Sequence, residues 1–122
     1  MIEGIADVYY SVADMDRAVK FYRDVLGLSL IDSNEYWSSL SCGGVRIGLH
    51  WTEGGAVPQV PRDAHGAHAG ATITFRVTDI EAEVTRLKRH DVRFLGAISR
   101  NPWGSLAAFE DPDGNVLKLM QP

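Results

Sequence analysis

The chain has 122 residues, of which 45% are hydrophobic and 23% are charged, and its formal net charge is −4. This length supports one globular domain with its own core, and the negative charge argues against a nucleic-acid partner. No apolar run reaches the roughly 20 residues of a membrane-spanning helix, and the single cysteine, Cys42, excludes an internal disulfide.

The first half of the chain is predicted to be a strand, a helix and three further strands. The stretch 5–12 is rich in Val and Tyr and is typical of an extended strand. Asp14 is a good N-cap for a helix over Met15–Leu26, and Gly27 ends that helix. The three strands that follow are predicted at Leu28–Asp32, Tyr36–Cys42 and Val45–Trp51.

The second half repeats this order. A strand is predicted over Ala71–Val77, Asp79 caps a second helix, and the helix stops near His90. Three strands complete the set, at Arg93–Ala97, Ser105–Glu110 and Asn115–Gln121.

The spacing between the two modules can be read from two pairs of equivalent residues. The capping residues Asp14 and Asp79 are 65 positions apart (79 − 14), and the hairpin glycines Gly44 and Gly114 are 70 apart (114 − 44). The small difference is what loop-length variation within one repeated βαβββ module produces. We therefore predict an α+β fold in a single domain 1–122, with module one at 1–51, a linker at 52–70 and module two at 71–122.

Three segments carry a family resemblance: VADMDRAVKFYRDVLGL, VTDIEAEVTRL and FEDPDGNVLKL. In this order and spacing they resemble the paired-module signature of the vicinal oxygen chelate superfamily. That group includes glyoxalase I, extradiol dioxygenases, fosfomycin-resistance enzymes and bleomycin-resistance proteins. The resemblance implies a curved mixed sheet whose concave side forms a ligand cup, with helices on the convex side, and in many small members a homodimer.

The resemblance also implies four strand positions for the ligands of a divalent metal, which in the enzymes are His, Glu or Gln. The motifs place these positions at Asp7, Gly48, Thr72 and Lys118. Glycine has no side-chain ligand, a neutral threonine is a poor one, and an ammonium repels a cation. We therefore predict no metal and no cofactor, and we expect Lys118 to supply a substitute charge that pairs with Asp7.

Three alternatives to this interpretation stay open. His50, the linker residue His68 and Asp7 would form a displaced metal site, with His65 as a further linker histidine. Lys118 would otherwise simply reach water from a half-exposed strand. A metal-free acid–base enzyme would use Asp7, His50 or Tyr9 as its proton carrier. No Ser-His-Asp order or phosphate loop is present, and no catalytic residue is assigned.

Strand alternation predicts a cup with aromatic walls, small hydroxyl groups and a few charges. Such surfaces bind flat or bulky organic molecules by stacking and area burial. The predicted ligand-binding residues are Asp7, Tyr9, Trp37, Ser39, Gly48, His50, Trp51, Thr72, Thr74, Trp103 and Lys118.

These observations lead to a metal-free binding protein of the glyoxalase/bleomycin-resistance type. It would sequester a hydrophobic or aromatic molecule, with antibiotics among the candidates. The rivals are a metal-dependent dioxygenase or glyoxalase-type lyase with displaced ligands, and a metal-independent isomerase or lyase. We expect a small organic ligand and a second copy of the chain as partners, no nucleic acid or membrane, and a cytoplasmic location because no signal-peptide pattern opens the chain.

Overall fold

A computed structural model describes residues 1–59 and 71–122. They divide into two compact units, Met1–Pro58 and Gln59–Pro122. Each unit contains one four-stranded mixed sheet and one helical segment, and the two sheets have the same strand order. The predicted α+β class and the two βαβββ modules are therefore confirmed. The predicted curvature of the combined sheet and the predicted ligand cup both involve the two units together. Both stay predictions.

The first unit has a sheet in the order β1-β4-β3-β2, in which only the β1–β4 pair is parallel. Its elements are β1 (Val8–Val12), α1 (Met15–Lys20), a π-helical segment (Phe21–Val25), β2 (Ser29–Ser33), β3 (Trp37–Cys42) and β4 (Val45–Trp51).

The first helix differs from its prediction in its second half. The N-cap is correct, because the Asp14 carboxylate accepts a hydrogen bond from the Arg17 N–H at 3.0 Å. From Phe21 onward, however, the helix widens, and the Leu26 N–H donates to the Phe21 carbonyl five residues earlier. This wider turn lets both Phe21 and its neighbour Tyr22 be buried, which a regular helix with a narrow apolar stripe does not favour.

One face of the first sheet packs against α1. Leu40, Ile47 and Leu49 are buried there, together with Ala18 and Tyr22 of the helical segment. We call the opposite side of this sheet the first open face. The predicted strand over residues 5–12 begins only at Val8, so that Asp7 lies just before β1 and is half-buried.

The second unit repeats the arrangement, with the order β5-β8-β7-β6 and a parallel β5–β8 pair. Its elements are β5 (Ile73–Arg76), α2 (Ile80–Arg89), β6 (Ser99–Asn101), β7 (Gly104–Glu110) and β8 (Val116–Gln121). Asp79 caps α2 as predicted, accepting from the Ala82 N–H at 3.0 Å.

The predicted strand at Arg93–Ala97 is wrong. Only Phe94 forms a bridge there, to Phe109 of β7, and the edge strand β6 lies later at Ser99–Asn101. The interruption falls at Gly96, whose φ of +127° does not continue an extended strand. The hairpin turn after β6 therefore contains Pro102 and Trp103.

The core of the second unit lies between α2 and one face of its sheet. Ile80 and Leu87 of α2 are buried, as are Phe109, Leu117 and Leu119 of the central strands. We call the opposite side of this sheet the second open face. Within the described ranges, no helix is long and apolar enough to cross a membrane.

Candidate functional site

Three ring side chains cluster on the first open face. The ring centroids of Tyr9 and Trp37 are 5.3 Å apart, and the His50 ring lies 5.9 Å from each of them. The Tyr9–His50 contact is edge-to-face, with an interplanar angle of 88°. The rings come from three neighbouring strands, β1, β3 and β4. They form a tilted aromatic surface of the kind that binds flat organic molecules.

The Trp37 indole covers Gly48 of the neighbouring strand. A Cβ built on Gly48 would overlap Cζ2 of the indole and would lie 2.6 Å from Cη2. The indole therefore occupies the space that any side chain at position 48 would need. The absence of a side chain at Gly48 allows the aromatic cluster to lie close to the sheet.

Two sets of hydrogen bonds position the indole. The Asn34 side-chain oxygen accepts from the backbone N–H groups of Tyr36 and Trp37, at 2.8 and 2.9 Å, and so fixes the start of β3. The Trp37 Nε1–H donates to the Ser39 hydroxyl at 2.9 Å. Since Ser39 pairs with Gly48 in the sheet, this bond holds the indole over the glycine.

Trp51 lies apart from this cluster. It alternates with His50 along β4, and its Nε1–H donates to the Ala13 carbonyl at the start of α1, at 3.2 Å. Its ring lies 5.7 Å from that of Tyr36. The structure therefore does not bring Trp51 together with Trp37 and His50, because the two sets of side chains leave opposite faces of the sheet.

Trp51 lines a separate cavity of about 510 Å³ at the end of β1. The cavity is open to solvent and its wall is rich in carboxylates. The lining residues are Ala13, Asp14, Met15, Asp16, Ser33, Asn34, Glu35 and Trp51.

The two sheets have matching central rows on their open faces. In the first sheet Gly48 pairs with Tyr9 on one side and Ser39 on the other. In the second sheet Lys118 pairs with Thr74 and Ala108 in the same way. Gly48 and Lys118 are 70 positions apart (118 − 48), which is the spacing of the hairpin glycines. The two residues are therefore equivalent positions of the repeated module.

On the second open face, Thr74 lies beside Lys118, and Thr72 precedes Thr74 by two residues. Thr74 is exposed and Lys118 is half-buried. Trp103 is 60% exposed in the β6–β7 turn, five residues before Ala108, the β7 partner of Lys118. That separation corresponds to about 16 Å of extended strand, so the structure does not bring Trp103 to the Lys118 row.

The residues at the four implied metal positions do not fit a divalent metal. Asp7 is the only carboxylate among them, and Lys118 would add a positive charge. At Gly48 the place of a ligand side chain is filled by the Trp37 indole. Among residues 1–59 and 71–122, no group of three His, Cys, Asp or Glu side chains could hold a metal elsewhere.

Two sequence predictions are not tested by these contacts. His65 and His68 lie outside the described residues, so the displaced metal site that includes them stays a hypothesis. The predicted pair of Asp7 and Lys118 would join the two units, and it also stays a prediction.

Sequence reasoning placed Tyr9, Trp37, Ser39, Gly48 and His50 on one face, and the structure brings these five residues together. It missed the packing of Trp37 over Gly48 and the bond from Trp37 to Ser39. The available signal was a large aromatic residue beside a glycine on the adjacent strand, a pairing that recurs in sheets.

Comparison with known proteins agrees with this architecture. A family model described as "Glyoxalase/Bleomycin resistance protein/Dioxygenase superfamily" matches residues 4–119. A metallothiol transferase, FosB of Staphylococcus haemolyticus strain JCSC1435, is 29% identical over 121 residues, which cover 98% of this chain and 84% of that protein. Virulence protein STM3117 of Salmonella typhimurium is 26% identical over 125 residues, covering 99% of this chain and 85% of that protein.

A solved structure shows the same fold. A member of the superfamily from Sphaerobacter thermophilus DSM 20745 superimposes with a TM-score of 0.74 at 21% identity, covering 99% of this chain and 98% of that one. The paired βαβββ units define a two-module protein of this architecture. The chain belongs to the glyoxalase/bleomycin resistance protein/dioxygenase superfamily.

Proposed function

We propose that the protein binds a hydrophobic or aromatic small molecule on the first open face, without a metal and without transforming it. Hydrophobic antibiotics are among the candidate ligands. The observation that supports this proposal is the Trp37 indole, which fills the position of a metal-ligand side chain and extends an aromatic surface towards Tyr9 and His50. Position 48, which the resemblance associates with a metal ligand, would here support an indole that stacks on the bound molecule.

The chemistry of the surface favours binding by contact. Tyr9 and His50 are exposed, Trp37 is half-buried, and Ser39 is engaged by the indole N–H. A planar guest would stack on the rings and exclude water from them, and the Tyr9 hydroxyl and the His50 ring nitrogens would orient its polar groups.

A metal-dependent thiol transferase is the second candidate function. The FosB match covers nearly the whole chain, which favours it. The residues at Gly48, Thr72 and Lys118 argue against it, because none of them offers the imidazole or carboxylate donors that such metals prefer. The two functions differ in whether binding requires an added divalent ion.

A calorimetric titration with neutral aromatic compounds tests the proposal. Indole, 2-naphthol and larger hydrophobic antibiotics would be titrated into protein kept in a chelator. We expect at least one compound to bind with one site per chain. The variant Trp37→Leu should weaken that binding by about tenfold or more, since stacking and buried aromatic area are both lost.

The matched control is Trp51→Leu, which removes an indole from the opposite face of the same sheet. It should leave the affinity unchanged, provided that circular dichroism shows both variants folded. Binding that is lost in Trp51→Leu and kept in Trp37→Leu would overturn the assignment of the site. Failure of every neutral compound to bind would overturn the proposed function.

A further inference from the structure

Lys118 has a central position on the second open face. It lies in the inner strand β8, between Thr74 of β5 and Ala108 of β7. Its side chain is half-buried, whereas the flanking Leu117 and Leu119 point into the core and are buried. The side chain therefore starts from the middle of the sheet and not from an edge.

Among residues 71–122, no carboxylate pairs with the Lys118 ammonium. Its backbone is bonded in the sheet, but its side chain forms no ion pair or hydrogen bond with another described residue of the second unit. Glu110, two positions along β7 from Ala108, forms an ion pair with Arg93 at 3.7 Å. Arg76, which alternates with Phe75 and shares the face with Thr74, adds a second positive charge. The two cations Lys118 and Arg76 therefore outnumber the Glu110 carboxylate on this face.

The neighbours of Lys118 also provide room and a hydroxyl group. Ala108 on the β7 side is small and half-buried, and Thr74 on the β5 side is exposed and carries a hydroxyl. An ammonium has three N–H donors and a threonine hydroxyl has one, and all of them suit an oxygen anion. A charge that is partly removed from water is stabilised when an anion supplies a partner.

We propose that the second open face binds the carboxylate of an organic acid, with Lys118 as its principal contact and the Thr74 hydroxyl beside it. One ammonium matches one negative charge, and Arg76 strengthens the attraction at longer range. The resemblance places a metal ligand at position 118. In this chain the lysine at that position supplies a positive charge itself, and it would therefore bind an anion.

Lysine-specific NMR tests this proposal directly. The chain has three lysines, Lys20, Lys88 and Lys118, so protein with ¹³C-labelled lysine gives only three sets of signals to assign. The variant Lys118→Met assigns the relevant set. Benzoate should shift the Lys118 Cε signal in a saturable way, and the uncharged isostere benzamide should not. Lys20 and Lys88 should not respond to either compound.

The affinity for benzoate, measured by calorimetry, provides the second readout. Lys118→Met should weaken it about tenfold or more, which is the loss expected for a charge-assisted hydrogen bond. Lys118→Arg should retain most of it. The matched control Lys88→Met removes a lysine from α2, where the ammonium lies 5.8 Å from the Phe94 ring centroid, and should change nothing.

Three results would overturn the proposal: equal shifts with benzoate and benzamide, no saturable response to benzoate, or equal losses in Lys118→Met and Lys88→Met. These outcomes are independent of the neutral-ligand titration on the first open face. Neutral aromatic binding that depends on Trp37 would survive the failure of the carboxylate site, and the reverse also holds.

Discussion

The indole of Trp37 lies over the backbone of Gly48, and the two residues leave no space between them for a side chain. The indole is held there by its hydrogen bond to Ser39, the sheet partner of the glycine. This packing explains why a position that the superfamily resemblance associates with a metal ligand is a glycine here. It also makes the two residues interdependent.

Gly48→Ala is expected to destabilise the protein by about 1–3 kcal/mol, because the added methyl group would overlap the indole and force it off its present position. Urea unfolding of the variant and the parent protein measures the difference in the free energy of unfolding. The same substitution should cost much less in a Trp37→Ala background. Equal costs in the two backgrounds would show that the indole does not occupy this space.

Asp111 is expected to be a strong determinant of stability in the second unit. Its Oδ1 accepts from the backbone N–H groups of Asp113 and Asn115, both at 2.9 Å, and its Oδ2 accepts from the Asn115 side chain at 2.8 Å. The residue is buried, so Asp111→Ala would leave these donors unsatisfied. We expect a loss of about 2 kcal/mol or more in the unfolding free energy.

The exposed residue Asp16 provides the control for Asp111. Asp16→Ala should change the free energy of unfolding by no more than about 0.5 kcal/mol. If both substitutions had the same small effect, the turn before β8 would not depend on its carboxylate.

The N-cap of α2 gives a third prediction. Asp79→Ala should lower the unfolding free energy by about 1 kcal/mol, because the Ala82 N–H loses its acceptor. Asp79→Asn keeps a side-chain oxygen at the same place and should retain most of the stability. Thermal unfolding followed by circular dichroism compares the two, and an equal loss in both variants would argue against capping by the side chain.

Self-association gives a fourth prediction. Every residue of the edge strand β2 is exposed, and Leu30 and Ile31 are among the exposed hydrophobic side chains. Unpaired sheet edges and apolar surface favour a partner, and we propose a homodimer. Light scattering should give twice the 13.4 kDa mass of one chain. A mass of one chain at all concentrations would contradict the proposal.

Much of the fold could be predicted because local signals and the repeat agree. Asp14 and Asp79 mark both helix starts, and the predicted bounds of β4 are those of the structure. The π-helical segment after Lys20 was not predictable, because it depends on the burial of two adjacent aromatic residues against the sheet. The prediction of a strand at Arg93–Ala97 was wrong because the composition of this segment favours extension. Gly96 adopts a positive φ that only the tertiary structure reveals.

The candidate site was predictable as a face but not as a set of contacts. Alternation placed Tyr9, Trp37 and His50 on one side of the sheet, since residues two apart on a strand share a face. The same rule puts Trp51, which directly follows His50, on the other side of the sheet, and the structure does not bring it to the aromatic cluster. The bond from Trp51 to Ala13 depends on where α1 begins relative to β4, which no local pattern specifies.

The central claim, aromatic binding without a metal, is tested most directly by one calorimetric comparison. The neutral aromatic compound that binds best is titrated into protein stripped with a chelator, and again after addition of Zn²⁺ or Mn²⁺. We predict one ligand per chain and the same affinity in both titrations. Binding that appears only after a divalent ion is added would contradict the claim and favour a metal-dependent enzyme.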